Sequence, residues 1–287
     1  MYQEGLSEQI NIEYQDAKIS INDKVLLFDN KGNSILRSQD DECFFIYKDL
    51  QNEGVEWGDQ DFYYLFSIEN EKYFVLIGQL PEGFSERFLT CSRSEIFSNR
   101  SDKFSYITLT ASHIYDWYKK TKFCGACGEP MEARTDERAK TCKHCGNRIY
   151  PQISPVVIVA VSNANELLLT KYANRAHKRY ALVAGFVEVG ETLEAAVKRE
   201  VMEETGVRVK NIKYFDSQPW GITGGLLSGF FADLDGDSTL TVDYEELHEA
   251  RWMPAKDVQE MELNTKSLTG TLIEVWREKI TFSETRK

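Results

Sequence analysis

The sequence lacks any long apolar segment and lacks an excess of positive charge. No apolar run approaches the roughly 18 residues that a membrane-spanning helix needs. The net charge of −12 argues against broad, nonspecific binding of nucleic acid, because the phosphate backbone would be repelled. The first residues are polar and acidic and show no signal-peptide pattern. We therefore expect a soluble cytoplasmic protein that does not associate with a membrane.

Cysteine is scarce, and the six cysteines are unequally distributed. Cys43 and Cys91 stand alone in segments that look like ordinary folded sequence, and we expect buried or idle thiols there. The other four form two Cys-x-x-Cys pairs: Cys124, Cys127, Cys142 and Cys145. Four thiolates at this spacing suit tetrahedral Zn²⁺, and such a site leaves no open position for a substrate. We predict one structural zinc ion per chain, since disulfides are disfavoured in a cytosolic protein.

The length of 287 residues predicts more than one folded region. Residues 1–105 contain aromatic, strand-like runs between turns and predict a small β-rich N-terminal domain. Residues 106–122 have helical spacing and predict a connecting helix that ends in lysines. Residues 123–149 contain the cysteine pairs, and residues 150–287 form the remaining domain. No motif in residues 1–105 indicates a chemical role for that region.

The segment 185–207 concentrates glutamates in a pattern typical of a capped helix. Thr192 is the predicted N-cap, and Gly206 is placed where a C-terminal glycine ends a helix. Three glutamates recur at helical spacing on one side, away from the apolar stripe: Glu200, Glu203 and Glu204. Carboxylates stacked in this way repel one another, which favours a cation between them. Carboxylate oxygens are hard ligands that suit Mg²⁺ or Mn²⁺.

The same segment resembles the Nudix box. The match runs from Gly185 through Glu191 and Arg199 to Gly206, with the three glutamates at the spacing of the motif. The resemblance implies an α+β fold, with a mixed sheet inside an α/β/α sandwich.

The resemblance also implies roles for the acidic side chains. Glu200, Glu203 and Glu204 would bind Mg²⁺ or Mn²⁺, and Glu203 or Glu204 would help to activate the attacking water. Arg199 reaches Glu203 one helical turn away, and we count it in the catalytic set because it holds that carboxylate. The alternatives are a surface helix after a turn and a Nudix-like regulator that binds nucleotides without hydrolysis. The complete box favours a hydrolase.

The order of the segments resembles the NADH pyrophosphatase (NAD⁺ diphosphatase) subgroup of Nudix hydrolases. In this order a zinc ribbon directly precedes Tyr150-Pro151, and the Nudix domain follows. That resemblance implies hydrolysis of NAD(H) to nicotinamide mononucleotide and AMP, and removal of NAD caps from the 5′ ends of RNA. It implies that Tyr150 and Phe186 contact the nicotinamide end of the substrate, where stacking suits both side chains. It also suggests a homodimer.

Ser217-Gln218-Pro219-Trp220 resembles the start of the signature that follows the box in this subgroup, so Gln218 and Trp220 are expected to bind substrate. The subgroup continues with Pro-Phe-Pro, whereas this chain has Gly221–Gly225. The loss of two prolines and an aromatic residue predicts a more flexible loop and leaves the preferred dinucleotide open.

Two further positions follow from the same resemblance. Glu246 is the expected additional metal ligand, with Glu245 and Glu249 as alternatives. Thr269 stands where the subgroup has a small alanine that lines the substrate site.

We predict a Nudix hydrolase that uses Mg²⁺ or Mn²⁺ on NAD(H), and also on NAD-capped RNA ends. The alternative enzyme hydrolyses ADP-ribose or another dinucleotide. The alternative of a different class is a nucleotide-sensing regulator whose zinc ribbon contacts nucleic acid. The complete box and the acidic net charge disfavour that alternative.

Overall fold

A computed structural model of the chain describes residues 1–4, 6, 9–38, 40, 44–53, 57–173 and 179–284, with side chains up to 281. Cys43, expected to be an ordinary thiol, lies outside the described residues. The chain forms two compact units. The first unit consists of Gln3–Gln152 and Gly221–Gly224, and the second consists of Met1–Tyr2, Ile153–Trp220 and Gly225–Lys287.

The first unit starts with short strands that build a mixed sheet. These strands are β1 (Ile10–Asn11), β2 (Lys24–Phe28), β3 (Ser34–Leu36), β4 (Phe45–Ile46), β5 (Phe62–Ile68), β6 (Glu71–Leu76) and β7 (Leu89–Cys91). Their order is β1-β5-β6-β2-β3-β7, and β4 pairs with β2. Strands β5 and β6 form an antiparallel hairpin, whereas β2 and β6 run parallel. The β-rich character predicted for this region is confirmed.

The helices of the first unit are α1 (Tyr47–Gln51), α2 (Arg93–Asn99) and α3 (Asp102–Lys120), with 3₁₀ turns at Asp59–Asp61 and Ser85–Arg87. Helix α3 begins earlier than the sequence predicts, because the Ser101 hydroxyl accepts a hydrogen bond from the Phe104 N–H at 3.3 Å. At its other end the Lys140 ammonium donates to the carbonyls of Tyr118 and Thr121 at 3.2 and 3.1 Å. Burial lowers the pKa of Lys140 to about 8. This cation therefore satisfies carbonyls that the helix end leaves unpaired.

A small antiparallel sheet within the first unit lies in the same segment as the cysteine pairs, and Cys142 ends one of its strands. Its strands are β8 (Met131–Ala133), β9 (Lys140–Cys142) and β10 (Arg148–Ile149), in the order β10-β9-β8.

The second unit is a mixed sheet with helices on both faces. Its strands are β11 (Ser154–Asn163), β12 (Glu166–Tyr172), β13 (Val183–Phe186), β14 (Val209–Trp220), β15 (Gly225–Leu234) and β16 (Leu247–Pro254). Its helices are α4 (Leu193–Thr205), α5 (Ala255–Gln259) and α6 (Leu268–Glu284). The strand order is β14-β15-β11-β12-β16, with β13 beside β11.

Strand β11 is the centre of this sheet, and both of its faces are buried. It runs parallel to β15 on one side and antiparallel to β13 on the other. Val157 and Val159 pack with Val197 and other side chains of α4, and Ile158 packs on the opposite face with α6. A continuous apolar run is the expected sequence of a strand covered on both faces. The predicted α/β/α sandwich around a mixed sheet is confirmed.

None of the helices among the described residues is long and apolar enough to span a bilayer.

Candidate active site and zinc ribbon

Helix α4 has the ends that the sequence predicts. The Thr192 hydroxyl accepts a hydrogen bond from the Ala195 N–H at 3.2 Å. Gly206 ends the helix with φ +74°, a left-handed conformation that glycine adopts at little cost. Ala196, Val197 and Val201 are buried in the core beneath the helix. These contacts fix the helix and therefore the direction of its acidic side chains.

The three glutamates of α4 are not equally placed, and here the sequence-based expectation is wrong. Glu203 is exposed, but Glu200 is 8% exposed and Glu204 only 2%. The segment after β15 explains part of this burial, because the Asp243 N–H donates to the Glu204 carbonyl at 3.1 Å. The carboxylates of Glu200 and Glu204 are therefore buried and do not project away from the apolar stripe. Burying a carboxylate without a compensating charge is costly.

Gly185 in β13 is the close neighbour of Glu200. A Cβ atom at position 185 would lie 2.0 Å from Glu200 Cδ and 2.1 Å from its Oε1. The carboxylate therefore occupies the space that any side chain at Gly185 would need. This contact gives a physical reason for a glycine at this position of the motif.

Arg199 holds the acidic cluster together through all five of its N–H donors. Its Nε and Nη2 donate to the two oxygens of Glu191 at 2.9 and 2.8 Å, and its Nη1 donates to Glu200 at 2.7 Å and to Glu203 at 2.9 Å. The remaining donor binds the Phe186 carbonyl at 2.9 Å. The guanidinium thus links α4 to the end of β13 and to the turn between them. One positive charge faces three carboxylates, so the cluster keeps an excess of negative charge.

The pKa of Glu200 depends on its burial and on the charges around it. Burial raises the pKa of Glu200, Arg199 opposes the rise, and the charges of Glu203 and Glu246 raise it further. Of the three candidate glutamates after β15, Glu246 is the one whose charge contributes to raising the pKa of Glu200. Glu249 is engaged elsewhere, because it accepts hydrogen bonds from Lys171 at 2.7 Å and from Tyr180 at 3.0 Å.

The acidic cluster fits a divalent cation in the chemistry of its donors. Glu200, Glu203, Glu204 and Glu246 offer hard carboxylate oxygens, and their negative charge exceeds what Arg199 neutralises. These oxygens are not gathered to ligand distance in the structure. Among the described residues, the four cysteine sulfurs form the one set of three or more potential ligand atoms that lie within 4.8 Å of one another. Glu200 and Glu203 point instead to Arg199.

The four cysteines of the ribbon are arranged as a metal site. The sulfur of Cys127 lies 3.4 Å from that of Cys145 and 3.5 Å from that of Cys142, and Cys124 lies 3.6 Å from Cys145. A tetrahedral site with Zn–S bonds near 2.3 Å requires S–S distances of about 3.8 Å. The Asn147 amide donates to the Cys124 sulfur at 3.5 Å and lowers the pKa of that thiol to about 6, together with backbone N–H groups. The site fits structural zinc.

Glycines follow both cysteine pairs for a conformational reason. Gly128 and Gly146 have φ of +81° and +74°, and their N–H groups donate back to the carbonyls of Cys124 and Cys142 at 2.8 and 2.9 Å. These tight turns place the paired sulfurs on one side of the chain.

The two aromatic residues predicted to stack on the nicotinamide are both accessible. Phe186, at the end of β13, is 57% exposed in the second unit, although an apolar ring is normally buried. Tyr150 is 50% exposed in the first unit, and its hydroxyl donates to Glu137 at 3.1 Å.

Gln218 lies in β14 and is fully buried. Its amide nitrogen donates to the Lys266 carbonyl at 2.8 Å, and its Oε1 accepts from the N–H of Leu268 at 2.8 Å. Leu268 is the first residue of α6, so the Gln218 side chain satisfies a free N–H at the start of that helix. Half-buried Thr269 is the next residue of α6, and half-buried Trp220 packs near the same helix. The Gln218 amide therefore contacts Leu268, the residue before Thr269, and has a structural task.

Sequence reasoning did not single out Tyr2 or the role of Glu191. The Tyr2 hydroxyl donates to the Pro219 carbonyl at 2.5 Å, and the Tyr2 N–H donates to the Lys266 carbonyl at 3.2 Å. No sequence pattern links residues so far apart in the chain. Glu191 belongs to the quoted motif, but only the structure shows it as the two-oxygen partner of Arg199.

Comparison with known families agrees with this geometry. The model of the NUDIX domain matches residues 152–271, and the model of the NADH pyrophosphatase zinc ribbon domain matches residues 119–150. The chain contains a Nudix domain. This domain includes α4, the acidic cluster and Gln218, and it follows the ribbon directly.

Curated relatives resemble half of the chain. A protein of Klebsiella pneumoniae subsp. pneumoniae named NAD-capped RNA hydrolase NudC is 47% identical over 145 residues, which are 50% of this chain and 56% of the relative. A protein of the same name from Salmonella typhi is 45% identical over 145 residues, again 50% of this chain and 56% of the relative. The chain thus spans about half the length of the curated relatives that it matches.

Solved structures of Nudix proteins are similar at lower identity. A NUDIX hydrolase from Nitrosomonas europaea is 24% identical with a TM-score of 0.38, covering 47% of this chain and 78% of that one. The NUDIX domain of Shewanella oneidensis NrtR, solved with ADP ribose, is 20% identical with a TM-score of 0.38, covering 46% of this chain and 90% of that one.

Proposed function

We propose that this chain hydrolyses the diphosphate bond of NAD(H), giving nicotinamide mononucleotide and AMP, and that it removes NAD from the capped 5′ ends of RNA. The observation that supports this most is the acidic cluster of the Nudix domain, in which Glu200 and Glu204 are buried and the charges of Glu203 and Glu246 act on Glu200. Relatives that match half of this chain are named for hydrolysis of NAD-capped RNA, which supports this substrate class.

Glu200, Glu203, Glu204 and Glu246 would hold Mg²⁺ or Mn²⁺. When bound, these cations neutralise the diphosphate and polarise its phosphorus–oxygen bonds. Excess negative charge in the cluster and the raised pKa of Glu200 support this assignment, because a cation would offset both. To act as ligands, Glu200 and Glu203 would exchange contacts with Arg199 for contacts with the cation.

The side chains of the cluster have separate tasks in this proposal. A carboxylate of Glu203 or Glu204 accepts a proton from the attacking water. The water oxygen bonds to phosphorus, the bridging P–O bond of the diphosphate breaks, and the two mononucleotides leave. Without a cation, Arg199 fixes the orientation of the cluster through Glu191, Glu200 and Glu203, and its two bonds to Glu191 would remain when the cation is bound. Its link to the Phe186 carbonyl ties this orientation to the aromatic residue at the end of β13.

The remaining residues would bind the two halves of the dinucleotide. We assign stacking on flat rings to Tyr150, Phe186 and Trp220, since aromatic faces tolerate any base. The exposure of Phe186 and Tyr150 supports this role. Gln218 and Thr269 are also assigned to the substrate site. The buried Gln218 amide accepts a hydrogen bond from the Leu268 N–H at the start of α6, and Thr269 is the next residue of that helix.

The proposal also covers the domain division, the zinc and the assembly of the chain. We propose a division into an N-terminal domain (1–105), a connecting helix (106–122), the ribbon (123–149) and the Nudix domain (150–287). We further propose that the zinc is purely structural and that the protein is a cytoplasmic homodimer.

The proposal is tested by a substrate comparison in Mn²⁺ and in Mg²⁺. Release of AMP is measured from NADH, NAD⁺, ADP-ribose and NAD-capped RNA, each at the same concentration. We expect release from NADH or NAD⁺ and from the capped RNA. Release from ADP-ribose alone would favour the alternative hydrolase. No release from any substrate, with binding of the same ligands retained, would favour the nucleotide-sensing regulator.

A further inference from the structure

We propose that Arg93 is a positioning residue that fixes the Gly221–Gly224 loop and thereby contributes to the choice of substrate. The inference rests on the proposed function, because the loop directly follows Trp220. The loop was expected to be more flexible than its counterpart in the subgroup. In the structure the loop makes several contacts within the first unit.

Arg93 binds the loop and the long helix of the first unit at once. Its Nη1 donates to the Ile222 carbonyl at 3.2 Å, and its Nη2 donates to the Asp116 carboxylate in α3 at 2.7 Å. The side chains of Arg93 and Asp116 are both mostly buried. A guanidinium is planar, so an ion pair on one nitrogen orients the other nitrogen toward its carbonyl. Asp116 therefore aims Arg93 at the loop.

The start of the loop lies directly against α3. A Cβ atom at Gly221 would lie 2.2 Å from the Leu109 carbonyl oxygen, so no side chain fits there without moving backbone. The Ser112 hydroxyl donates to the same Leu109 carbonyl at 2.9 Å and reaches the Gly221 carbonyl at 3.4 Å. Ser112 is fully buried. A small polar residue on α3 and a glycine in the loop thus permit this approach.

The end of the loop is fixed by a second glycine. Gly224 has φ +80°, and a Cβ atom there would lie 3.1 Å from His113 Nε2. His113 Nε2 lies 2.8 Å from the Gln152 carbonyl, which restrains the imidazole ring. The loop is therefore bounded by Leu109 at one end and by His113 at the other, with Arg93 binding its middle.

The strand register relates Gly225, the residue that directly follows this loop, to Phe186 within the second unit. Phe186 and Leu227 both pair with Val156 of β11, from opposite sides, and Gly225 follows the loop two residues before Leu227. Two strand spacings and two residues of strand correspond to about 12 Å between Phe186 and Gly225. A substrate whose diphosphate meets the acidic cluster extends beyond it on both sides. A loop held in one conformation presents a preformed surface, which lowers the ordering cost of binding.

The experiment compares wild type with Arg93→Ala, Arg93→Lys and Gly221→Ala. Arg37→Ala is the matched control, because Arg37 forms an exposed ion pair with Asp49 in the same unit. Hydrogen exchange of the loop amides, and KM and kcat for NADH and for ADP-ribose, are measured on the full chain. Arg93→Ala removes the hydrogen bond that the charged guanidinium donates to the loop at Ile222, so we expect loop amides to exchange about tenfold faster.

The kinetic readout separates positioning from general destabilisation. We expect KM for NADH to rise about tenfold in Arg93→Ala with kcat within about twofold, and the ratio of kcat/KM between NADH and ADP-ribose to change. Arg93→Lys should shift in the same direction, since an ammonium lacks the planar fork. Gly221→Ala should reproduce the effect without touching Arg93. Arg37→Ala should leave all readouts unchanged.

The possible outcomes distinguish this inference from the proposed function. The inference is overturned if the hydrogen exchange of the loop amides is unchanged in both Arg93→Ala and Gly221→Ala. It is also overturned if exchange becomes faster but the ratio of kcat/KM between NADH and ADP-ribose stays the same. Neither result contradicts the proposed function. A wild type that hydrolyses no dinucleotide contradicts the proposed function and, with it, the role in substrate choice. Hydrogen exchange then still decides whether Arg93 holds the loop.

Discussion

Replacing Gly185 with alanine should displace the Glu200 carboxylate and separate activity from stability. The added Cβ would lie 2.0 Å from Glu200 Cδ, whereas ordinary van der Waals contact begins at 3.4 Å. The carboxylate must therefore retreat by roughly 1.4 Å. A misplacement of about 1 Å at a reacting centre can cost about 100-fold in rate. Overpacking of this kind costs about 1–3 kcal/mol in the free energy of unfolding.

The assay measures kcat for AMP release from NADH in saturating Mn²⁺, together with thermal unfolding. Gly83→Ala is the control, because Gly83 has φ +72° and no atom within 4 Å of an added Cβ. That variant should lose stability through backbone strain while retaining kcat.

A double-mutant cycle tests the cause of the expected loss. In a Glu200→Ala background the obstructing carboxylate is absent, so Gly185→Ala should cause no further loss of kcat. Wild-type kcat in Gly185→Ala would refute the reasoning. An equal loss in both backgrounds would also refute it, because the effect would then not act through Glu200.

Three further predictions concern the metals and the substrate. The purified protein should contain about one zinc per chain, and chelation should lower its melting temperature, because structural zinc contributes to folding; full stability without zinc would contradict this. Burial raises the pKa of Glu200 above its usual 4.5, so metal-free stability should fall as pH rises through that higher value. At pH 7.5 Glu200→Gln should therefore not lower the melting temperature of metal-free protein, yet it should reduce the upward shift that Mn²⁺ causes; a large metal-free loss would oppose this. Phe186→Ala should raise KM for NADH about tenfold, at a stability cost below about 0.5 kcal/mol because the ring is exposed; an unchanged KM would argue against stacking.

The sequence predicted those features that depend on local rules. The ends of α4 follow from the capping preferences of Thr192 and Gly206, and the four-cysteine site follows from spacing alone. The buried strand β11 follows from a continuous apolar run. Each of these features is determined by residues close together in the chain.

The sequence failed where distant segments decide the environment. Helical spacing places Glu200 and Glu204 on one side of α4, but only the packing of Gly185 and of the segment near Asp243 shows that both are buried. The glycines of the Gly221–Gly225 loop likewise do not indicate that Arg93, 129 residues away in the chain, donates a hydrogen bond to Ile222. Such contacts leave no local pattern.

The central claim is that the acidic cluster of α4 performs hydrolysis, and one comparison of variants tests it most directly. Glu204→Gln removes a charge from the buried cluster, whereas Glu194→Gln removes a charge from an exposed position on the same helix. The measurement is kcat for AMP release from NADH in Mn²⁺, with thermal unfolding of each variant. We predict that Glu204→Gln folds but loses about 100-fold or more in kcat, while Glu194→Gln keeps wild-type kcat. Near-normal kcat in folded Glu204→Gln would contradict the account.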